Sequence, residues 1–461
     1  MSDTSKPPAQ KRVISNGVST VVTRIAPSPT GQMHIGTVRS ALFNYLWAKH
    51  NRGTFLVRIE DTDTQRNRPE WTQMIWDDFA WCGLVPDKKY IQSEHIARHQ
   101  ALLEQLVREG KAYLSREPSK NEPGKEVEVV RLKNAGKRVS FDDLIRGEIV
   151  FDTAELGDFV IARSLTEPLY HFAVVVDDAD AQVSHVIRGE DILSSTPRQI
   201  LIQEALGIPR PIYAHLPLIL SADRKKLSKR QHVVSLAEYR DEGFLPEAII
   251  NYLALLGWNP GTSEEHFSLS ELVERFSFEG VQKSGAIFDR TKLLSVNQHW
   301  MRALSDDDFI ARGNFGAPDA EKLKKAVPLL KERAHTFAEA RELLSGELSG
   351  LFSAPALDPA KLTAKELPER PGMTKTALET LQEAVKSLSD GVSAEAVKEA
   401  IMPLADAEEA EGKGGRGAVL WPLRYALSGQ ERSPDPFTLV AILGPDESVS
   451  RIQNAIAILK G

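Results

Sequence analysis

Apolar and β-branched residues gather in short runs over the first half of the chain and recur at helical spacing over the second. Val21 to Ala26 is β-branched and runs into Pro27 and Pro29, which predicts a strand stopped by a turn. Leu42, Phe43, Leu46 and Trp47 then share one face of the segment from Gly36 to His50, the spacing of an amphipathic helix. Gly53 ends that segment, and Thr54 to Ile59 reads as a second, buried strand. Strand, helix and strand in that order predict a parallel βαβ unit with a right-handed crossover. The same patterning predicts helices over 69–81, 93–109 and 196–206, and strands over 172–176, 182–187 and 213–220.

The pattern changes between 111 and 163. Residues 116–128 are rich in Pro, Lys and Glu, and short strand-like runs follow at Val127 to Val130 and Glu148 to Phe151. These features predict a small insertion between two halves of a parallel sheet. After Ser235 helical spacing dominates, at 247–256, 270–276 and 290–299. From about Met301 onward only helical patterns remain, including 320–344, 374–389 and 448–459, with breaks at Ala354 to Gly372 and Glu408 to Gly417. The expected fold class is α/β: a Rossmann-type parallel-sheet domain with a reduced insertion, followed by an all-α C-terminal region. The expected boundaries are a flexible extension at 1–19, sheet halves at 20–110 and 164–235, the insertion at 111–163, a helical junction at 236–300 and a helical domain at 301–461.

Composition narrows this little. The chain has 461 residues, 42% hydrophobic and 26% charged, as in ordinary soluble domains. No apolar run approaches the roughly eighteen residues of a membrane span. The polar N-terminal stretch lacks the apolar core of a signal peptide, so a cytoplasmic protein without a membrane partner is expected. A single cysteine, Cys82, excludes intramolecular disulfides and any zinc site with more than one thiolate. The net charge of -7 argues against a uniformly basic nucleic-acid binder but leaves room for a local basic stripe.

Three stretches carry candidate chemistry. Pro27 to Thr37 lies at a strand's carboxyl end and opens a helix whose N–H groups and dipole favour anions. There Gly31 and Gly36 permit close approach, and His34 and Thr37 offer donors to phosphate; a Pro/Gly turn with a capping Thr and an incidental His is the plainer alternative. Lys226-Leu-Ser-Lys-Arg230, with Arg224 and Lys225 beside it, would suit a loop that closes on polyphosphate, or equally a solvated basic turn. Between them, Arg24, Tyr170 and Arg188 come near one sheet edge and suit a substrate with two carboxylates, although Asp177 or Asp191 could simply pair with the arginines at the surface. Glu60 could meet an ammonium or pair with Arg58, two positions back on the same strand face, and Asp61 or Asp63 is explained as well by a helix N-cap.

In order along the chain, Arg24-Ile-Ala-Pro-Ser-Pro-Thr-Gly31, His34-Ile-Gly-Thr37, Arg58 to Asp63, Asp143-Leu-Ile-Arg-Gly147, Phe172 to Asp178, His185 to Asp191 and Lys226 to Arg230 resemble the glutamyl-tRNA synthetases, a family of class I aminoacyl-tRNA synthetases. The resemblance continues through Leu245 to Ala248 and Asn251 to Trp258, and returns at Pro422 to Gly429. It implies ATP-dependent activation of L-glutamate to glutamyl-adenylate, then transfer to the 3'-terminal adenosine of tRNA-Glu, with tRNA-Gln left open. It implies a monomer, Mg2+ accompanying ATP, an insertion that contacts the tRNA acceptor end and a helical anticodon-binding domain. Carried over by position, His34, Gly36 and Thr37 bind ATP phosphates, while Lys226 and Lys229 stabilise the transition state, Lys229 also contacting ATP. Arg24, Ser28, Glu60, Tyr170 and Arg188 line the glutamate pocket, with Arg188 on the side-chain carboxylate.

The chain departs from that family in two places. Ala112 to Glu117 stands where many relatives carry zinc-binding thiols, so no zinc is expected. The insertion at 111–163 is also shorter than in typical relatives. A tRNA-modifying glutamyl transferase is one competing reading, but such relatives lack an all-α half. A catalytically inactive tRNA-binding paralogue is another, and retention of His34, Lys226, Lys229 and both pocket arginines argues against it.

Overall fold

The computed structural model describes residues 20–63, 66–118, 124–225, 227, 235–363, 371–410 and 415–459. The expected N-terminal extension at 1–19 lies outside these residues, as do Lys226, Lys229 and Arg230. The chain divides into two compact units, one formed by Met1–Arg240 with Leu245–Val296, the other by Asp241–Phe244 with Asn297–Gly461.

The first unit opens as its patterning predicts. Strand β1 (Val22–Ile25) leads into helix α1 (Ile35–His50), strand β2 (Thr54–Ile59), helix α2 (Pro69–Trp81), strand β3 (Lys88–Ile91) and helix α3 (Ile96–Arg108). The only cysteine, Cys82, is buried at the end of α2. Strands β4 (Ala112–Pro118), β5 (Glu126–Leu132), β6 (Arg138–Asp143), β7 (Gly147–Asp152), β8 (Phe159–Ser164) and β9 (Glu167–Pro168) follow. Next come helix α4 (Tyr170–Asp180), strand β10 (His185–Gly189), helix α5 (Thr196–Leu206), strand β11 (Ile212–Leu216) and the short strand β12 (Ile219–Leu220).

Seven strands form the main sheet in the order β3-β2-β1-β10-β11-β6-β7, and every neighbouring pair is parallel except β6 and β7. From β1 the chain winds outward through β2 to β3, then returns to place β10 on the other side of β1. The strand order therefore switches between β1 and β10, where a parallel sheet opens a crevice at the carboxyl ends of its strands.

Three expectations are corrected. Residues 172–176 form the middle of helix α4, not a strand. The run from Phe172 to Asp178 is buried on every side, so it has no polar face to display a period, and a short apolar run of that kind fits either element. The stretch 111–163 is also not one separate insertion. β4, β5, β8 and β9 make an antiparallel four-stranded sheet of their own, whereas the hairpin β6–β7 extends the main sheet through the pairing of Asp143 with Tyr213. The expected strand over 213–220 is in turn two strands, parted at Pro217, which has no N–H to continue a ladder.

A shared core joins these layers. Leu103 and Leu106 of α3, Val130 and Ile161 of the small sheet, Phe172 and Val176 of α4, and Ile200 and Ile202 of α5 are all buried in it. The regular elements among the described residues of the second unit are all helices, and the expected single helix over 320–344 is two, Ala320–Arg333 and Phe337–Ser345. In that unit Phe309, Phe315 and Phe337 form a ring cluster, with centroids 5.2 to 6.1 Å apart.

His185, at the start of β10, sits buried against Trp47 with ring centroids 5.8 Å apart, and burial pushes its pKa down to about 4. An unfolded histidine titrates near 6.5, so below that pH the unfolded chain takes up a proton that the fold refuses. This contribution is fully present above about pH 6.5 and is lost toward pH 4, at about 1.4 kcal/mol per pH unit. Urea unfolding at about pH 7 and about pH 5 should therefore show a smaller acid loss in His185→Gln than in the parent chain; equal losses would rule His185 out as a source of it.

Candidate active site

Arg24 is next to last in β1 and Arg188 next to last in β10, the two strands that flank the switch point. Between them opens a cavity of about 570 Å³. Of the eight expected site residues that are described, seven line it: Arg24, Ser28, His34, Gly36, Thr37, Tyr170 and Arg188.

The N-terminus of α1 forms one wall. His34 is the N-cap, with extended backbone at φ -93° and ψ 152°, and no acidic residue occupies the first turn. The positive end of a sixteen-residue helix is thus left without a side-chain counter-charge of its own. A Cβ added to Gly36 would meet nothing within 4 Å, so the missing side chain keeps open space over that first turn. Ser235 pairs with His34 in an antiparallel bridge, and the Leu236 N–H donates to the Met33 carbonyl at 3.0 Å. The chain that leaves the basic loop therefore returns directly beside this helix end. Leu227, the one described residue between 226 and 234, also lines the cavity, and its N–H donates to the Ile219 carbonyl at 3.0 Å.

The two arginines are held in opposite ways. Arg24 donates through Nε and Nη2 to the two oxygens of Asp178, both at 3.1 Å. Asp178 also accepts from Nη1 of Arg58 at 2.5 Å, and Arg58 is fully buried. Burial alone would raise the Asp178 pKa, but the two guanidinium groups outweigh it and hold the carboxyl below the usual range. The pairing weighed from sequence was a surface one through Asp177 or Asp191; the pairing that Arg24 makes is instead buried and goes to Asp178.

Arg188 is equally buried, yet its partners are neutral. Nη1 donates to Oε1 of Gln199 at 2.7 Å, Nη2 to Oγ1 of Thr196 at 2.8 Å, and Nε to Nε2 of His215 at 3.1 Å. The guanidinium lies 5.7 Å from the Tyr213 ring centroid. Burial lowers its pKa, but a guanidinium starts so high that it keeps its charge.

Glu60 does not line the cavity. Its Oε1 lies 3.2 Å from Nη2 of Arg58, the pairing their shared strand face allows, and burial raises its pKa against the pull of that arginine. Asp177 accepts from the Tyr90 hydroxyl at 3.0 Å and from Gln92 Nε2 at 2.6 Å, with His99 Nε2 also 2.6 Å away. That network ties β3 and α3 to α4 beneath the site. Asp61 accepts from the Ser93 N–H and hydroxyl, so it braces a turn outside the cavity.

One charged lining side chain escaped the sequence reading. Arg39, two residues after Thr37, is buried, bonds to the Pro217 carbonyl and has its pKa lowered by burial to about 10. It falls on the same helical face as Leu42, Phe43 and Leu46, and a cation on an apolar stripe was the available signal. Asp191, weighed from sequence as an arginine partner, also lines the cavity. Among the described residues, no group of three or more His, Cys, Asp or Glu could hold a metal ion, and no helix is long and apolar enough to cross a membrane.

A cationic cavity at the switch point of a parallel sheet, faced by a helix N-terminus, defines a nucleotide- and anion-binding α/β domain of the class I synthetase type. The model of the tRNA synthetases class I (E and Q) catalytic domain matches residues 20–121 and 114–295, that of the anticodon binding domain matches 295–456, and the chain belongs to this family. It is 38% identical over 472 residues to glutamate–tRNA ligase 1 of Syntrophus aciditrophicus, covering 95% of this chain and 97% of that protein. Identity is also 38% over 477 residues to the glutamate–tRNA ligase of Nitratidesulfovibrio vulgaris, covering 96% and 100%. The crystal structure of a glutamate tRNA ligase from Elizabethkingia meningosepticum, in complex with its amino acid, has a TM-score of 0.82 at 33% identity, covering 95% of this chain and 99% of that one.

Removing the Asp178 charge should leave two buried guanidinium groups uncompensated. Asp178→Asn is expected to cost about 3–5 kcal/mol of stability in urea unfolding at neutral pH, far above an exposed ion pair. A loss under about 1 kcal/mol would mean the carboxylate is not the anchor of Arg24 and Arg58.

Proposed function

We propose that the chain is a glutamate–tRNA ligase that consumes MgATP. A carboxylate oxygen of L-glutamate attacks the α-phosphorus, the bond from that phosphorus to the bridging oxygen breaks, and pyrophosphate leaves. A hydroxyl of the 3'-terminal adenosine of tRNA-Glu then attacks the glutamyl carbonyl, losing its proton as the ester forms, and AMP departs. One observation carries this reading. A single cavity holds a helix N-terminus with no acidic residue in its first turn, suited to phosphate, and two buried arginines suited to a small dicarboxylate.

Within it, His34, Gly36 and Thr37 are assigned to the ATP phosphates, and Arg24, Ser28 and Tyr170 to the backbone part of glutamate. Arg188 takes the side-chain carboxylate, because its hydrogen bonds orient the guanidinium without neutralising it. Glu60 is assigned a field role: its charge acts on Tyr170 from behind the wall, where a substrate ammonium would balance it. Lys226 and Lys229 are assigned to the charge that builds on the α-phosphate as the loop closes. The domain boundaries given above are retained as part of this reading, with the hairpin β6–β7 assigned to the catalytic sheet.

A tRNA-modifying transferase acting on a base would need no helical second unit, and the match of residues 295–456 to an anticodon binding domain favours charging at the 3' end. Loss of the product on removal of the 3'-terminal adenosine would distinguish the two. ATP and tRNA as substrates argue for the cytoplasm, and one chain supplies every side chain named, so a monomer suffices.

Lys229→Ala should lower ATP–pyrophosphate exchange by roughly two to three orders of magnitude while tRNA affinity changes little; an equal fall in both would remove the transition-state assignment. The same exchange assay, run with glutamate or glutamine and with tRNA-Glu, tRNA-Gln or neither, is expected to show activity with glutamate and tRNA-Glu. Exchange with tRNA-Gln would extend the substrate range, and glutamine matching glutamate would sink the amino-acid assignment.

A further inference from the structure

The Asp143-Leu-Ile-Arg-Gly147 motif has no role in the reading above, yet it ends β6, which the sheet places two strands from Arg188. Register explains what it meets. On the shared edge of β10 and β11, Arg188 stands opposite His215, and on the next edge Asp143 stands opposite Tyr213. The three strands thus line up Asp143, His215 and Arg188 at their carboxyl ends, with Asp143 and Arg188 buried and His215 completely so.

The chemistry of the partners fixes every proton in this row. Asp143 collects donors: its Oδ1 accepts from the N–H groups of Ile145 at 3.0 Å and Arg146 at 2.9 Å, and its Oδ2 from the His215 N–H at 3.0 Å. Nδ1 of His215 lies 2.6 Å from the same Oδ2. These bonds outweigh burial and keep the Asp143 carboxyl below the usual range, so it is an acceptor only. Nδ1 must therefore carry a hydrogen. On the other side of the ring Nε2 meets Nε of Arg188, which can only donate, and so Nε2 must be bare. Thr196 closes the circuit, since Oγ1 accepts from Arg188 and can direct its own hydrogen toward Nε2 at 3.2 Å. Burial lowers the His215 pKa, with Arg188 and Arg146 opposing protonation and Asp143 favouring it, and the neutral ring is the outcome.

We propose that His215 and Asp143 are positioning residues for amino-acid selection, with Asp143 fixing the tautomer in which His215 accepts from Arg188. A protonated ring, or the other tautomer, would point an N–H at the Arg188 N–H and push the guanidinium off its seat. Neutral acceptors alone hold Arg188, so its charge stays available to the incoming carboxylate. Among the described residues no carboxylate forms an ion pair with it. This inference rests on the assignment of Arg188 to the glutamate side chain.

The test uses the full chain with ATP and tRNA-Glu, measuring KM for glutamate and for ATP and the preference for glutamate over glutamine. His215→Leu removes the acceptor and should raise KM for glutamate roughly ten- to a hundredfold and erode the preference, leaving KM for ATP within about twofold. His215→Gln keeps an oxygen near the Nε2 position and should recover most of the loss. Asp143→Asn sets an amide N–H against backbone donors and Nδ1, admits the other tautomer, and should reproduce the His215→Leu phenotype. A His215→Leu enzyme that keeps glutamate KM and selectivity, or a His215→Gln enzyme no better than it, overturns the proposal. Should the His215→Leu chain fail to fold, an Asp143→Asn enzyme with unchanged selectivity overturns it as well. Arg188→Ala is run alongside: if it still prefers glutamate, the assignment of Arg188 falls and the inference with it. If only Arg188→Ala loses the preference, the inference alone falls.

Discussion

The site depends first on one buried carboxylate. Asp178 reaches from helix α4 to two guanidinium groups at the ends of adjacent strands, Arg24 on β1 and Arg58 on β2. Leaving either cation unpaired in that interior would cost several kcal/mol, so helix and strands hold one another in place. Asp177, the preceding residue, does the same for β3 and α3 through Tyr90, Gln92 and His99. Two consecutive aspartates on one helix thereby set the floor on which the cavity sits.

Against that floor the two cavity arginines differ in what they can still do. Arg24 has given two donors to a carboxylate and meets a ligand with its charge already partly balanced. Arg188 has given three donors to neutral groups and keeps its full charge. The cavity therefore has two unequal ends. The uncompensated charge lies at Arg188, on the strand beside β11, and the partly balanced one at Arg24 on β1.

Much of this was legible in the chain. The strand ends at Arg24 and Arg188, the turn into α1 and the following strand depend on local signals such as prolines, β-branched runs and apolar spacing, and those signals agree with the fold. What stayed hidden depends on partners distant in sequence. Helix α4 was misread because total burial erases the polar face that reveals a helix. The hairpin β6–β7 looked like part of an insertion, because nothing local shows that Asp143 pairs with Tyr213 in the main sheet. His215 lies in no motif and Asp178 only closes the run from Phe172, so nothing local shows that the fold turns both toward the arginines. Glu60 was placed on the right strand face, but the nearer cation, Arg58, claims it.

The choice of arginine at position 188 follows from the same physics. A cation buried to this degree loses hydration, and burial drives its pKa down, as it does here. A lysine starts near 10.4 and, without a carboxylate partner, would reach the range in which it gives up its proton; a guanidinium starts high enough to stay charged. Its planar fork can also take three separate acceptors and still present further N–H groups to a carboxylate, which an ammonium on a flexible stem cannot match. The neutral cradle of Thr196, Gln199 and His215 thus works only with arginine. In turn, an arginine without a counter-ion is tolerable only because that cradle satisfies its donors.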